Sequence, residues 1–138
     1  MLREQPPHAP GHGKTIAILE DDAELLRLMK ELLESEGGNR VETCREGEEA
    51  YRFVKDTQPD LVILDLKFRG QALGWTILER LKADPETRPI PVAVCSAASD
   101  ALREREDLLE AGDVRAISKP FDIEDLLDAA RQATRGDR

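Results

Sequence analysis

Five polar side chains stand directly after short apolar runs. Glu20 and Asp21 follow Ile16-Ala17-Ile18-Leu19, and Asp65 follows Leu61-Val62-Ile63-Leu64. Ser96 follows the run that ends at Cys95, and Lys119 follows Val114 to Ser118. If those runs are parallel strands, their carboxyl ends share one rim, where open α/β sheets bind ligands. Three carboxylates crowded at one rim repel one another and require a cation. An all-oxygen donor set favours a hard divalent ion, and Mg²⁺ is the usual choice where phosphate takes part. Lys119 adds a second positive charge and Ser96 a hydroxyl donor, and together they can hold phosphoryl oxygens. Asp65 is then placed to attack phosphorus and become an acyl phosphate. Taken singly, each residue has a plainer reading: an acidic helix start at Glu20–Asp22, a turn at Ser96, a surface lysine at Lys119. Five such residues on one rim favour the site.

The elements that must position these residues alternate along the chain. The run Leu61–Leu64 has no polar interruption, which suits a strand buried on both faces of a parallel sheet. After the first strand, Asp22 is a natural N-cap for a helix with Leu25, Leu28, Met29, Leu32 and Leu33 inward, ended by Gly37-Gly38. Val41 to Cys44 forms a second strand, placed at an edge because it carries Glu42. Residues 46–57 form a helix on Ala50, Phe53 and Val54, stopped before Pro59. A loop from Leu66 to Gly74 leads to a third helix with Ile77, Leu78 and Leu81 inward, broken at Asp84-Pro85. Ile90 to Cys95 is the fourth strand, with Pro91 near its start. A charged fourth helix, capped by Ser99 or Asp100, ends near Gly112. Val114 to Ser118 is the fifth strand, and Asp122 caps a last helix on Ile123, Leu126, Leu127 and Ala130. Five strand–helix repeats mean one α/β domain with a mainly parallel sheet.

The chain has 138 residues, enough for one domain with a core. Residues 1–13 read as a mobile tail, residues 14–134 as the domain and residues 135–138 as a frayed end. A net charge of −9 argues against nucleic acid or an anionic membrane as the main partner. No apolar stretch is long enough to span a membrane. Cys44 and Cys95 have no metal spacing and read as small buried thiols of a reducing cytoplasm. Gly13-Lys14-Thr15 ends like a phosphate-binding loop, but His8 stands where that motif needs glycine, and the segment precedes a strand.

At these residues the chain resembles a known family, the receiver domains of two-component response regulators, along nearly all of residues 14–133. The carrying features are Ile16–Asp22, Pro59–Asp65, Pro91–Ala97, Ala111-Gly112 and Lys119-Pro120-Phe121, in that order and spacing. The resemblance implies a CheY-like, flavodoxin-like (βα)5 doubly wound parallel sheet with strand order 2-1-3-4-5. It implies Asp65 as phosphoacceptor and Glu20 and Asp21 as Mg²⁺-site acids, with the carbonyl of Lys67 as a further metal ligand. Ser96 is then the switch hydroxyl, and Lys119 the invariant-type lysine, with a cis bond to Pro120. Lys67 and Ala98 fall where family members tune the life of the phosphoryl group.

The implied role is a stand-alone phosphoacceptor signalling domain, not an enzyme in the usual sense. It takes a phosphoryl group from a histidine kinase or phosphotransfer protein and signals by contact with a downstream protein. No nucleic acid or membrane partner is expected, and the expected state is a cytoplasmic monomer or weak homodimer. Several positions depart from the family pattern. Arg69 stands where a proline is usual, the loop from Asp65 to Gly74 is one residue longer, and Leu73 replaces an acid. Ala116 replaces the aromatic switch residue, so no ring can swing inward behind Ser96. The alternative is therefore a receiver-like binding module that works without phosphorylation. A haloacid-dehalogenase-like phosphohydrolase needs an aspartate where Lys67 stands. A nucleotide-binding flavodoxin relative needs a phosphate loop where Glu20 and Asp21 stand.

Overall fold

The computed structural model describes residues 14–36, 38–67, 73–96, 114–118 and 122–135. The predicted tail, most of the loop after Asp65, the charged fourth helix and Lys119-Pro120-Phe121 lie outside the described residues. The strands are β1 (Thr15–Leu19), β2 (Arg40–Cys44), β3 (Leu61–Asp65), β4 (Val92–Ser96) and β5 (Val114–Ser118). The helices among the described residues are α1 (Ala23–Ser35), α2 (Ala50–Thr57), α3 (Leu73–Ala83) and α4 (Ile123–Arg135). All strand pairs are parallel, in the order β2-β1-β3-β4-β5. The strand order expected from the resemblance is the one observed, and β2 lies at an edge.

Strand parity divides the core into two layers. Ile16, Ile18, Leu61, Ile63, Ala93 and Cys95 pack with Leu26, Met29 and Leu33 of α1 and Leu126, Leu127 and Ala130 of α4. Ala17, Leu19, Val62, Leu64, Val92 and Val94 pack on the other face with Val54 of α2 and Ile77, Leu78 and Leu81 of α3. Successive side chains of a strand point to opposite faces, so a strand covered on both sides has to be apolar at every position. Every residue of β3 is buried.

Some boundaries and faces differ from the sequence reading. In α1 the buried positions are Leu26, Met29 and Leu33, whereas Leu28 is 52% exposed. Leucines occupy so much of this helix that its pattern fits more than one phase, and packing on the sheet selects the one centred on Leu26. A single 3₁₀ turn, Gly47–Glu49, precedes α2, which starts at Ala50. Gln58 ends α2 in the left-handed conformation, φ 50°. β4 starts at Val92, two residues later than expected, and α4 continues through Arg135. Asp22 caps α1 as expected, accepting from the N–H groups of Glu24 and Leu25. Asp122 caps α4 through the N–H of Asp125. Cys95 is buried, but Cys44 is only half-buried, and that burial raises its thiol pKa.

A polar cluster joins α2 to the end of α3. The Tyr51 hydroxyl donates to the Asp84 carboxylate, and Lys55 Nζ lies 3.1 Å from the same group. The Arg80 guanidinium covers the Tyr51 ring at 4.1 Å from its centroid. The Tyr51 hydroxyl, then the Glu86 N–H and Lys55, hold the Asp84 carboxyl down to about 2. Its folded value lies below its unfolded one, so the ionised group stabilises the fold above about pH 4 and loses that effect as pH falls toward about 2. The expected result for Asp84→Asn is a lower urea midpoint near pH 6 that converges with wild type near pH 2. A gap independent of pH would assign the cluster's role to packing alone.

Candidate functional site at the carboxyl ends of the strands

Register brings the acids together. β1 and β3 pair with Leu19 opposite Leu64, so one further step along each strand sets Glu20 beside Asp65. Both share the strand parity of Ile18 and Ile63, hence one face. Glu20 is 3% exposed and Asp65 7%, buried well beyond what is usual for carboxylates. Asp21 is half-buried, and one ligand atom from each of Glu20, Asp21 and Asp65 lies within 4.8 Å of the others. The three acids singled out in the sequence thus converge.

Hydrogen bonds fix their surroundings. Glu20 continues the ladder by donating its N–H to the Cys44 carbonyl (3.2 Å), and its Oε2 accepts from the Asp22 N–H (3.2 Å). The Lys67 N–H donates to Asp65 Oδ1 (3.1 Å), closing a turn that aims one carboxylate oxygen. The Leu66 N–H donates to the Cys95 carbonyl (3.1 Å), tying that turn to β4. On its other side the Gly74 N–H donates to the Leu66 carbonyl (3.1 Å). A Cβ on Gly74 would lie 2.5 Å from Leu66 Cα and 2.6 Å from the Asp65 carbonyl oxygen. Only glycine lets α3 approach the turn at Asp65–Lys67 so closely.

The donor set suits a hard divalent cation. Two ligands of an octahedral Mg²⁺ stand about 3.0 Å apart when adjacent and about 4.2 Å when opposite, and the three donor atoms here lie within 4.8 Å of one another. Ser96 is the last residue of β4, one position past the Asp65–Cys95 pair, and its backbone pairs with Ser118. The Ser96 side chain and all of Lys119 lie outside the described residues. Ala116 is exposed on β5.

Sequence reasoning missed two residues of this neighbourhood. Arg45, just past β2, donates Nε and Nη2 to the Asp21 carbonyl at 3.3 and 3.1 Å. Its only sequence signal is a cation directly after an edge strand. Gly74 was noticed as a family marker but not as a spacer.

The profile of the response regulator receiver domain family matches residues 16–131. The chain belongs to that family. This receiver domain is 32% identical over 111 residues to the polar-differentiation response regulator DivK of Brucella anthropi, covering 80% of this chain and 87% of DivK. It superposes on the receiver domain of the sensor histidine kinase PA1611 from Pseudomonas aeruginosa, whose structure holds a magnesium ion in the active-site cleft. That likeness has a TM-score of 0.75 at 22% identity, covering 90% of this chain and 99% of the other. It also superposes on the phosphorylated cyanobacterial phytochrome response regulator RcpA, with a TM-score of 0.68 at 27% identity, covering 91% and 96%. Receiver domains are signalling domains rather than classical enzymes. Among the described residues no helix is long and apolar enough to cross a membrane.

Proposed function

We propose that this receiver domain accepts a phosphoryl group on Asp65 from a histidine kinase or phosphotransfer protein in a Mg²⁺-dependent relay. The observation that carries the reading is the convergence of Glu20, Asp21 and Asp65 at one rim. An Asp65 carboxylate oxygen attacks phosphorus and the donor's P–N bond breaks. The imidazole leaves with its electron pair and takes up a proton, and an acyl phosphate remains on Asp65. Bound Mg²⁺ supplies positive charge against the phosphoryl oxygens. Glu20 and Asp21 hold the ion, Asp65 and the Lys67 carbonyl complete its protein ligands, and Ser96 and Lys119 take phosphoryl oxygens. The phosphorylated domain then favours a surface bound by a downstream protein in the cytoplasm.

The test is intact-protein mass after incubation with acetyl phosphate, with and without Mg²⁺. The expected result is a single phosphoryl adduct that requires Mg²⁺. Absence of both an adduct and steady donor hydrolysis would favour the other reading, a module that binds its partner without phosphate. The exposed Ala116 supports that second reading, because a methyl group has no ring to move when the site is filled.

A further inference from the structure

We propose that Arg45 is a positioning residue of the cation site, holding the Asp21 backbone so that its carboxylate is in place before the ion arrives. This rests on the reading of Glu20, Asp21 and Asp65 as a Mg²⁺ site. The last ladder bond along β1 is from the Glu20 N–H to the Cys44 carbonyl. Asp21 lies one residue past it, and the cap of α1 begins at Asp22. Between strand and helix the sheet does not fix the Asp21–Asp22 peptide: its N–H donates to the Glu20 side chain (3.2 Å), and its carbonyl is left for another donor. Arg45, just past the neighbouring strand, holds that carbonyl end, placing Nε and Nη2 on one oxygen at 3.3 and 3.1 Å. Leu19 pairs with Cys44, so the residue after Cys44 is the one that comes abreast of the β1–α1 junction. Two donors on a rigid planar group fix direction as well as distance, which one ammonium cannot do.

The role has an electrostatic rival of opposite sign. Arg45 is an exposed cation close to a site for another cation. If charge were its whole effect, removing it would tighten divalent binding, more so at low salt. If it positions Asp21, removing it loosens one ligand and weakens binding.

The experiment is a Mn²⁺ titration read by loss of the free-ion EPR signal, with Mg²⁺ competition, on wild type, Arg45→Gln and Arg45→Lys. Urea midpoints are measured in parallel without metal. The expected result is about fivefold weaker binding in Arg45→Gln, a smaller loss in Arg45→Lys, and unchanged urea midpoints. Such a fivefold change corresponds to about 1 kcal/mol. Equal or tighter binding by Arg45→Gln overturns the positioning role while leaving the site standing. A fall in the urea midpoint that accompanies the loss of affinity overturns it as well, since Arg45 would then be a general structural clasp. A wild type that binds neither ion overturns the cation site itself, and the Arg45 role with it.

Discussion

Asp65→Asn is expected to carry no phosphoryl adduct under conditions that label the wild type, and to be more stable than wild type when divalent ions are chelated. The first effect follows from chemistry: an amide oxygen is a poor nucleophile toward phosphorus, and neither Glu20 nor Asp21 stands in the same turn. The second follows from the surroundings. Asp65 is 7% exposed and shares a small volume with Glu20, itself 3% exposed, and Asp21. Crowding carboxylates into so small a volume opposes folding, and an amide at position 65 relieves it. Asparagine keeps Oδ1, so the bond from the Lys67 N–H and the turn it closes survive. Saturating Mg²⁺ should then reverse the order, because an ion that binds only the folded state stabilises wild type by about 2.7 kcal/mol at 100 times its Kd. The check is a pair of urea titrations, in EDTA and in excess Mg²⁺, beside the mass measurement. Labelling of Asp65→Asn would move the phosphoacceptor elsewhere. An unchanged stability order in Mg²⁺ would remove the ion from this rim.

Much of this site was legible because strand ends are legible. An apolar run that stops at a carboxylate states both the burial and the rim, and Ile16–Leu19 and Leu61–Leu64 do so without ambiguity. The strand order that the resemblance implies, with β1 beside β3, and the observed register then bring Glu20 and Asp65 to one level. The phase of α1 was not legible in the same way. Leu25, Leu26, Leu28, Leu32 and Leu33 cover a wide arc, and the sequence reading placed Leu28 inward and passed over Leu26. The sheet decided between them by burying Leu26 at 7% exposure and leaving Leu28 out. Arg45 was illegible for another reason. Its partner is a backbone carbonyl, and every residue carries one, so no side-chain pattern marks the contact. The start of α2 was misplaced because Gly47 to Glu49 form a 3₁₀ turn, whose local signals resemble those of the helix that follows. The departures at Arg69 and Leu73 shape a loop whose residues 68–72 lie outside the described part of the chain.

Gly74→Ala is expected to lower stability by about 1–3 kcal/mol and to slow Asp65 labelling by about tenfold or more at saturating Mg²⁺. An alanine early in a helix would ordinarily help, since glycine costs the helix up to about 1 kcal/mol. The sign reverses here because of what the methyl group meets. It would lie 2.5 Å from Leu66 Cα, 2.6 Å from the Asp65 carbonyl oxygen and 2.9 Å from the Leu66 carbonyl carbon. All three are backbone atoms, so no rotamer change relieves the contact. Leu66 cannot retreat easily either. The residue is 2% exposed, and its N–H is tied to the Cys95 carbonyl. Either α3 moves outward and loses the Gly74–Leu66 bond, or the Asp65–Leu66 peptide moves and takes the carboxylate with it. Both lower the urea midpoint, but only the second slows labelling beyond what unfolding explains. Thr76→Ala, at an exposed position two residues further along α3, is the control and should leave both measurements near wild type. A Gly74→Ala protein with lower stability but a normal labelling rate would mean that the helix yields and the turn at Asp65 holds. Unchanged stability would contradict the close approach itself.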